Sequence, residues 1–234
     1  MKITIIHGQS HKGVSYTITH AIVTALQQPG DEVREFFLPK DGPDFCYGCN
    51  TCFIKGETHC PSAEKVQPIT LAMEWADVIM IDTPNYVMEM SGALKNLMDH
   101  LAYRWVTHRP HSAMFNKVGV AVCSSAGAPA GGVTKSIARQ LKWMCVPKVY
   151  CLPFTSNAMT VADLKPKKQL DMQKKTAKIA TAVRRKIGQA HASLRGKRFF
   201  GMMRKMQSSP DAAWNPTDQD WWVNHGWTGK IRPW

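Results

Sequence analysis

The chain has 234 residues, 44% hydrophobic and 20% charged, with a formal net charge of +13. That length suits one full-sized domain plus an extension and is tight for two. No run approaches the roughly 20 apolar residues that span a bilayer, and the apolar start Met1-Lys-Ile-Thr-Ile-Ile6 is too short for a signal-peptide core; clustered cysteines suit a reducing compartment, so a cytoplasmic protein is expected.

Apolar strand-like runs fall at Lys2 to Ile6, Val33 to Phe37, Asp77 to Asp82, Val118 to Cys123 and Lys148 to Leu152. Helix-like segments lie between them, at Ser15 to Gln28, Ala63 to Trp75, Ser91 to Tyr103 and Val133 to Met144, with Pro29-Gly30 closing the first. Five strands alternating with helices predict a doubly wound parallel α/β sheet with helices on both faces. Ligands of such sheets sit outside the carboxyl ends of the strands, where strand order reverses. The loops after strands one, three and four are therefore the places to look.

The loop after strand one reads Gly8-Gln-Ser10-His11-Lys12-Gly13-Val14-Ser15 and runs straight into a helix. Small residues, hydroxyls and a cation at a helix amino terminus suit a phosphate, because unpaired backbone N–H groups and the helix dipole both favour an anion. The bland reading is a glycine-containing turn with Ser15 as helix cap.

After strand two comes Cys46-Tyr-Gly-Cys49-Asn-Thr-Cys52, with Cys60-Pro61 beyond it. Buried structural cysteines are usually scattered, so this clustering points to redox or metal chemistry. The C-x2-C-x2-C run with a remote cysteine has iron-sulfur spacing, which nominates Cys46, Cys49, Cys52 and Cys60 as ligands of a [4Fe-4S] cluster. Zinc held with the neighbouring His59, a disulfide or free thiols are the alternatives. Cys123, Cys145 and Cys151 read as buried small hydrophobes, and the remaining histidines show no zinc spacing.

After strand three the chain reads Thr83-Pro84-Asn85-Tyr86-Val87, then Ser91-Gly-Ala-Leu-Lys95 and Asp99. With the first loop and the cysteine run, this pattern resembles the flavodoxin-like NAD(P)H-dependent FMN reductases, including their iron-sulfur flavoprotein branch. The resemblance covers roughly residues 1 to 155. It implies a flavodoxin-like FMN-binding domain over 1–188 with a helical extension over 189–234. It also implies an FMN-dependent oxidoreductase, commonly a homodimer or higher homo-oligomer, that takes hydride from NAD(P)H and reduces a small acceptor such as a quinone, a nitro compound or a flavin. The branch implies the alternative, in which electrons pass between FMN, a cluster and a protein partner. Ser10, His11, Lys12, Gly13, Val14 and Ser15 would hold the flavin phosphate. Pro84, Asn85, Tyr86 and Val87 would lie along the ring, with Ser124, Ser125 and Gly127 of the fourth-strand loop beside it. Cofactors carry the difficult chemistry in such enzymes, so no catalytic acid or base is nominated.

Residues 165 to 205 contain 14 Lys and Arg against the single acid Asp171, so the whole net charge sits there. Lys165 to Ile187 reads as the last helix of the sheet, with an apolar stripe and a basic outer face. Ser193 to Met206 mixes bulky apolar and basic residues, as an interfacial helix would. An acidic protein or a membrane surface could dock there, whereas the bland reading packs Phe199, Phe200, Met202, Met203 and Met206 on the core or a second subunit. No nucleic-acid motif accompanies the charge. The stretch Trp221-Trp222 to Trp227 is dense enough in indoles to be docked and not disordered.

Overall fold

The computed structural model describes residues 1–209 and 215–234. Five parallel strands form one sheet, β1 (Lys2–His7), β2 (Glu32–Phe37), β3 (Val78–Pro84), β4 (Val118–Ser125) and β5 (Lys148–Thr155), in the order β2-β1-β3-β4-β5. Strand order reverses between β1 and β3, which is the flavodoxin-like switch point. The fold class read from the sequence stands, including the helical carboxy-terminal extension.

Central strands are buried on both faces and read as unbroken apolar runs. Alternate side chains go to two separate cores. Ile3, Ile5, Val78, Met80, Val118, Val120 and Val122 meet α1 (Val14–Leu26) and α6 (Pro166–Arg184) on one face. On the other, Ile6, Ile79, Ile81, Ala121 and Cys123 meet α3 (Ala63–Trp75), α4 (Gly92–His100) and α5 (Gly131–Trp143). A short helix, α2 (Thr51–Ile54), lies within the cysteine loop.

The extension supplies α7 (Leu194–Gln207) and α8 (Pro216–Asn224), and both pack into that second core. Phe200, Met203, Trp222 and Trp227 are buried there, and the Trp222 indole donates to His108 O at 2.6 Å. Trp222 and Trp227 thus cement the fold. Met202 faces solvent at 52% exposure and does not share the core packing of Phe200 and Met203.

Several boundaries move for local reasons. Gly13 and not Ser15 is the N-cap of α1, so Ser15 lies inside the first turn. The helix expected to reach Tyr103 stops at His100 and continues as a 3-10 turn over Ala102–Arg104. β3 and β4 run on to Pro84 and Ser125, which puts Ser124 and Ser125 in a strand end. Cys151 is exposed, because β5 is an edge strand, while Cys123 and Cys145 are buried as expected.

Candidate functional site

Three loops meet at the carboxyl edge of the sheet, and hydrogen bonds lock their roots. Gly8 N donates to Asp82 O at 2.7 Å, Ser91 Oγ to Gly8 O at 2.5 Å, and Asn85 N to Ser124 O at 2.8 Å. Ser15 Oγ lies 3.0 Å from Thr83 O and 2.7 Å from Ser124 Oγ. One buried hydroxyl therefore joins α1 to the ends of β3 and β4. A Cβ on Gly8 would stand 2.9 Å from Thr83 Oγ1 and 3.0 Å from both Asp82 O and Ser91 Oγ, so only glycine lets the first loop pass this close.

Two expected contacts change in consequence. Ser15 keeps its amide in the first turn, but its hydroxyl is committed to the loop roots. Ser124 and Ser125 are likewise buried and engaged, Ser125 Oγ with Ala128 O, and form the base of the fourth-strand loop. Ser10, His11 and Lys12 are exposed beside the start of α1, which has no side-chain cap and no acid in its first turn. That terminus suits an anion. Gly127 is exposed with open space around it.

The loop after β3 is a tight turn in which Tyr86 and Glu89 exchange backbone hydrogen bonds at 2.9 and 3.0 Å. Its two central residues, Val87 and Met88, have φ of 51° and 67°. A β-branched residue in the left-handed region is strained. Tyr86, Val87 and Met88 are 50%, 99% and 56% exposed, so the strained turn presents an apolar edge to solvent. Asn85 Nδ2 donates to Pro129 O at 3.1 Å, while its Oδ1 is buried with no donor. Gln9 Oε1 is a second buried acceptor without a partner. A planar heterocycle with ring N–H groups and a phosphate fits this uncapped helix terminus, these orphaned acceptors and the exposed apolar surface.

Cys46, Cys49, Cys52 and Cys60 line one small cavity of about 50 Å³, together with Tyr47, Phe53 and His100. All seven cysteines of the chain are free. Burial, then the neighbouring Cys60, pushes the Cys52 thiol up to about 11. Hydrogen bonds from Thr51 hold the Cys49 thiol below its usual range. His59, the imidazole nominated from sequence, is exposed and lies outside the cavity. His100 takes that place, with Nδ1 3.6 Å from Cys60 Sγ and Nε2 2.9 Å from Asp44 O.

The cysteine loop is held by residues that sequence reasoning passed over. Asn96 donates to Pro43 O and Asp44 O at 3.0 and 3.1 Å, and its Oδ1 accepts from Cys46 N at 3.0 Å. Arg109 donates to Cys52 O and to Glu57 at 3.3 Å, and pairs with Asp218 of α8. Asn215 donates to Phe53 O at 2.5 Å and Thr217 to Ile54 O at 2.7 Å. The one local signal was the dense Arg104-to-His111 run, since Arg and His are seldom buried unpaired. α4 starts at the loop root with Ser91 and ends at the cysteine cavity with His100. Nine residues of helix put the two features about 14 Å apart.

A larger cavity, about 460 Å³, is elsewhere, between α5 and α7, and its walls include Lys135, Arg139, Lys142, Trp143 and Arg195. No residue of the three loops lines it. The convergence of loop chemistry, and not cavity size, marks the candidate site.

The family model described as NADPH-dependent FMN reductase matches residues 1–156. The chain belongs to that family. An iron-sulfur flavoprotein of Methanocaldococcus jannaschii is 29% identical over 123 residues, which are 52% of this chain and 60% of that relative's length. An iron-sulfur flavoprotein of Archaeoglobus fulgidus is 28% identical over 184 residues, covering 76% of this chain and 79% of the relative. Among solved structures, an FMN-dependent NADH-azoreductase from Bacillus anthracis in complex with FMN superposes with a TM-score of 0.57 at 13% identity, over 79% of this chain and all of that one. That last likeness speaks to the fold. The matched family segment ends near β5, so α6 to α8 lie outside it.

Proposed function

We propose that this reductase-family chain binds FMN at the three-loop edge, takes hydride from NAD(P)H and reduces a small acceptor of the quinone, nitro or flavin class. The observation that carries the reading is the interlocked root of Gly8, Ser15, Asn85, Ser91 and Ser124, which aims an uncapped helix terminus and a strained apolar turn at one patch. Bound FMN would supply acceptance of a hydride and its return to an acceptor as electrons. The chain's part is to bind and orient. Ser10, His11, Lys12 and the amides of Gly13, Val14 and Ser15 would hold the phosphate. Pro84, Asn85, Tyr86 and Val87 would lie along the ring, with the orphaned Asn85 Oδ1 as acceptor for a ring N–H. Ser124 and Ser125 act from beneath, by fixing the loops, and Gly127 leaves space above. The exposed Tyr86-Val87-Met88 edge supports a homo-oligomer in which a second subunit covers the ring. The test is anaerobic titration of the FMN-loaded chain with NADPH and NADH. Rapid bleaching without a protein partner supports the reading; failure to retain FMN rejects it.

A second reading rests on the four cysteines around one cavity at the far end of α4. Their number and convergence fit a [4Fe-4S] cluster, and the curated relatives bear iron-sulfur flavoprotein names. On this reading Cys46, Cys49, Cys52 and Cys60 are the ligands and Asn96 and Arg109 hold the loop around them. The basic helix α6 would then dock an acidic electron-transfer partner. An anaerobic spectrum with iron, sulfide and zinc analysis separates the readings. About four irons per chain support the cluster, whereas iron-free yellow protein from anaerobic growth rejects it.

A further inference from the structure

Behind the first loop lies a cluster that flavin binding does not use. His7, the last residue of β1, is fully buried, and its Nδ1 lies 2.6 Å from Asp82 Oδ2. Its other nitrogen, Nε2, is 3.3 Å from Glu35 Oε2 of β2. From α1, His20 Nε2 comes to 3.3 Å from the same carboxylate oxygen. All three ligand atoms lie within 4.8 Å of one another. His20 Nε2 is nonetheless buried and has no hydrogen-bond partner.

We propose that His7 Nε2, His20 Nε2 and Glu35 Oε2 bind one Zn2+-class divalent cation, with the fourth position left to water. Tetrahedral zinc with nitrogen and oxygen ligands at 2.0–2.2 Å sets ligand atoms roughly 3.3–3.5 Å apart. Both separations to the Glu35 oxygen, at 3.3 Å, match that edge. A nitrogen aimed at a point between the ligands, and not at the carboxylate itself, accounts for an ion-pair distance without a hydrogen bond at His20.

The surroundings add two further supports. A proton on His7 Nδ1, held by Asp82 at 2.6 Å, would leave Nε2, which already lies against Glu35 Oε2, as the ligating nitrogen, the carboxylate-histidine arrangement that orients metal-bound imidazoles. With neutral imidazoles, Asp82 and Glu35 leave two negative charges in a largely buried place, and a divalent ion balances them. Ring contacts fix both imidazoles, His20 against Tyr16 at 4.1 Å and His7 against Phe37 at 4.4 Å between centroids. His20 and Glu35 are 30% and 28% exposed, which gives the ion a way in. The bound cation would tie β1, β2 and α1 together next to Gly8, at the root of the first loop. No short motif announces it, because the ligands come from three elements.

Protons on both imidazoles are the competing way to balance the charge, and Co2+ binding distinguishes the two. The untagged full chain carrying Cys46→Ser, Cys49→Ser, Cys52→Ser and Cys60→Ser is stripped with chelator and titrated with Co2+. One equivalent should bind, with the weak visible bands of a nitrogen and oxygen site and no thiolate charge-transfer absorption. His20→Ala in that background should weaken binding by about 100-fold or more. In parallel, His20→Ala in the wild-type chain should lower bound zinc by one equivalent, and this arm decides the matter if the four-serine chain does not fold. Absence of Co2+ binding by the folded four-serine chain, or unchanged zinc stoichiometry in wild-type His20→Ala, overturns the site in favour of a protonated ion-pair network. Neither result depends on whether FMN binds.

Discussion

Arg109 and Asp218, 109 residues apart in sequence, form an ion pair in which each residue is only 1% exposed. The same guanidinium donates to Cys52 O, so α8 and the cysteine loop meet through one side chain. Removing one partner of a buried pair costs about 3–5 kcal/mol where the charge left behind has no other partner; Glu57 stays 3.3 Å from Arg109 and lowers this to about 1–3 kcal/mol. Asp218→Ala should therefore destabilise the chain by that amount in urea unfolding and speed amide exchange across residues 50–54. Arg109→Met with Asp218→Leu should cost less than Asp218→Ala by itself. A double variant as unstable as the sum of the singles would show that the two residues act separately.

Gly8 sits where three oxygens leave no room for a Cβ, one of them a backbone carbonyl. Gly8→Ala must push the first loop away from β3, at about 1–3 kcal/mol by the usual cost of overpacking. Loss of flavin affinity should exceed what the change in melting temperature suggests, because the displaced loop would carry the proposed phosphate contacts. Gly201→Ala, in α7 away from the three loops, is the control, since open space surrounds that position. Equal flavin affinity in the two variants, by fluorescence quenching, would contradict the loop assignment.

The sheet was legible because strands buried on both faces leave unbroken apolar runs such as Val78–Ile81 and Val118–Cys123. The loops were legible because helix amino termini and turns restrict which residues can occupy them. What stayed hidden depends on long-range pairing. Asn96 and His100 look like ordinary helix residues until the cysteine loop folds onto them. Asp218 sits in a tryptophan-rich tail whose partner is fixed only by tertiary packing. Ser15 illustrates the limit most directly: its position at the loop was readable, yet its hydroxyl turned inward to bridge β3 and β4, which no spacing rule reports.

His111 gives a pH dependence whose sign follows from its surroundings. Burial, reinforced by the cations Arg104, Lys117 and His225, holds its imidazole down to about 4. Glu74 stands 3.8 Å away but is already engaged by Arg104 at 2.7 Å, so it does little to offset this. An unfolded imidazole titrates near 6.5. Between those values the unfolded chain binds a proton that the folded chain refuses, so stability falls as pH drops from about 6.5 to 4. The side chain is 31% exposed, and solvent screening reduces the loss to about 1–2 kcal/mol. His111 Nδ1 accepts from Ala113 N at 3.3 Å, a role that Asn can fill without titrating. His111→Asn should keep neutral-pH stability within about 0.5 kcal/mol and flatten the acid limb of the melting curve; an unchanged limb would assign it to other groups.

Val87 holds the clearest trade between stability and function. It is a β-branched residue at φ 51° and 99% exposed, so nothing in the fold visibly repays its strain. The left-handed conformation costs such a residue roughly 1–2 kcal/mol, while glycine there gives back about 0.5–1 kcal/mol in unfolded-state entropy. Val87→Gly should therefore raise stability slightly, by about 0.5–1 kcal/mol. The same change removes an apolar face from the proposed flavin edge and frees the turn between Tyr86 and Glu89, so FMN should bind more weakly and hydride transfer should slow. Thermal unfolding of the apo chain and flavin titration read the two effects separately. A variant that loses stability would show that Val87 is supported by contacts within the fold, and one that gains stability with unchanged flavin affinity would remove this turn from the site.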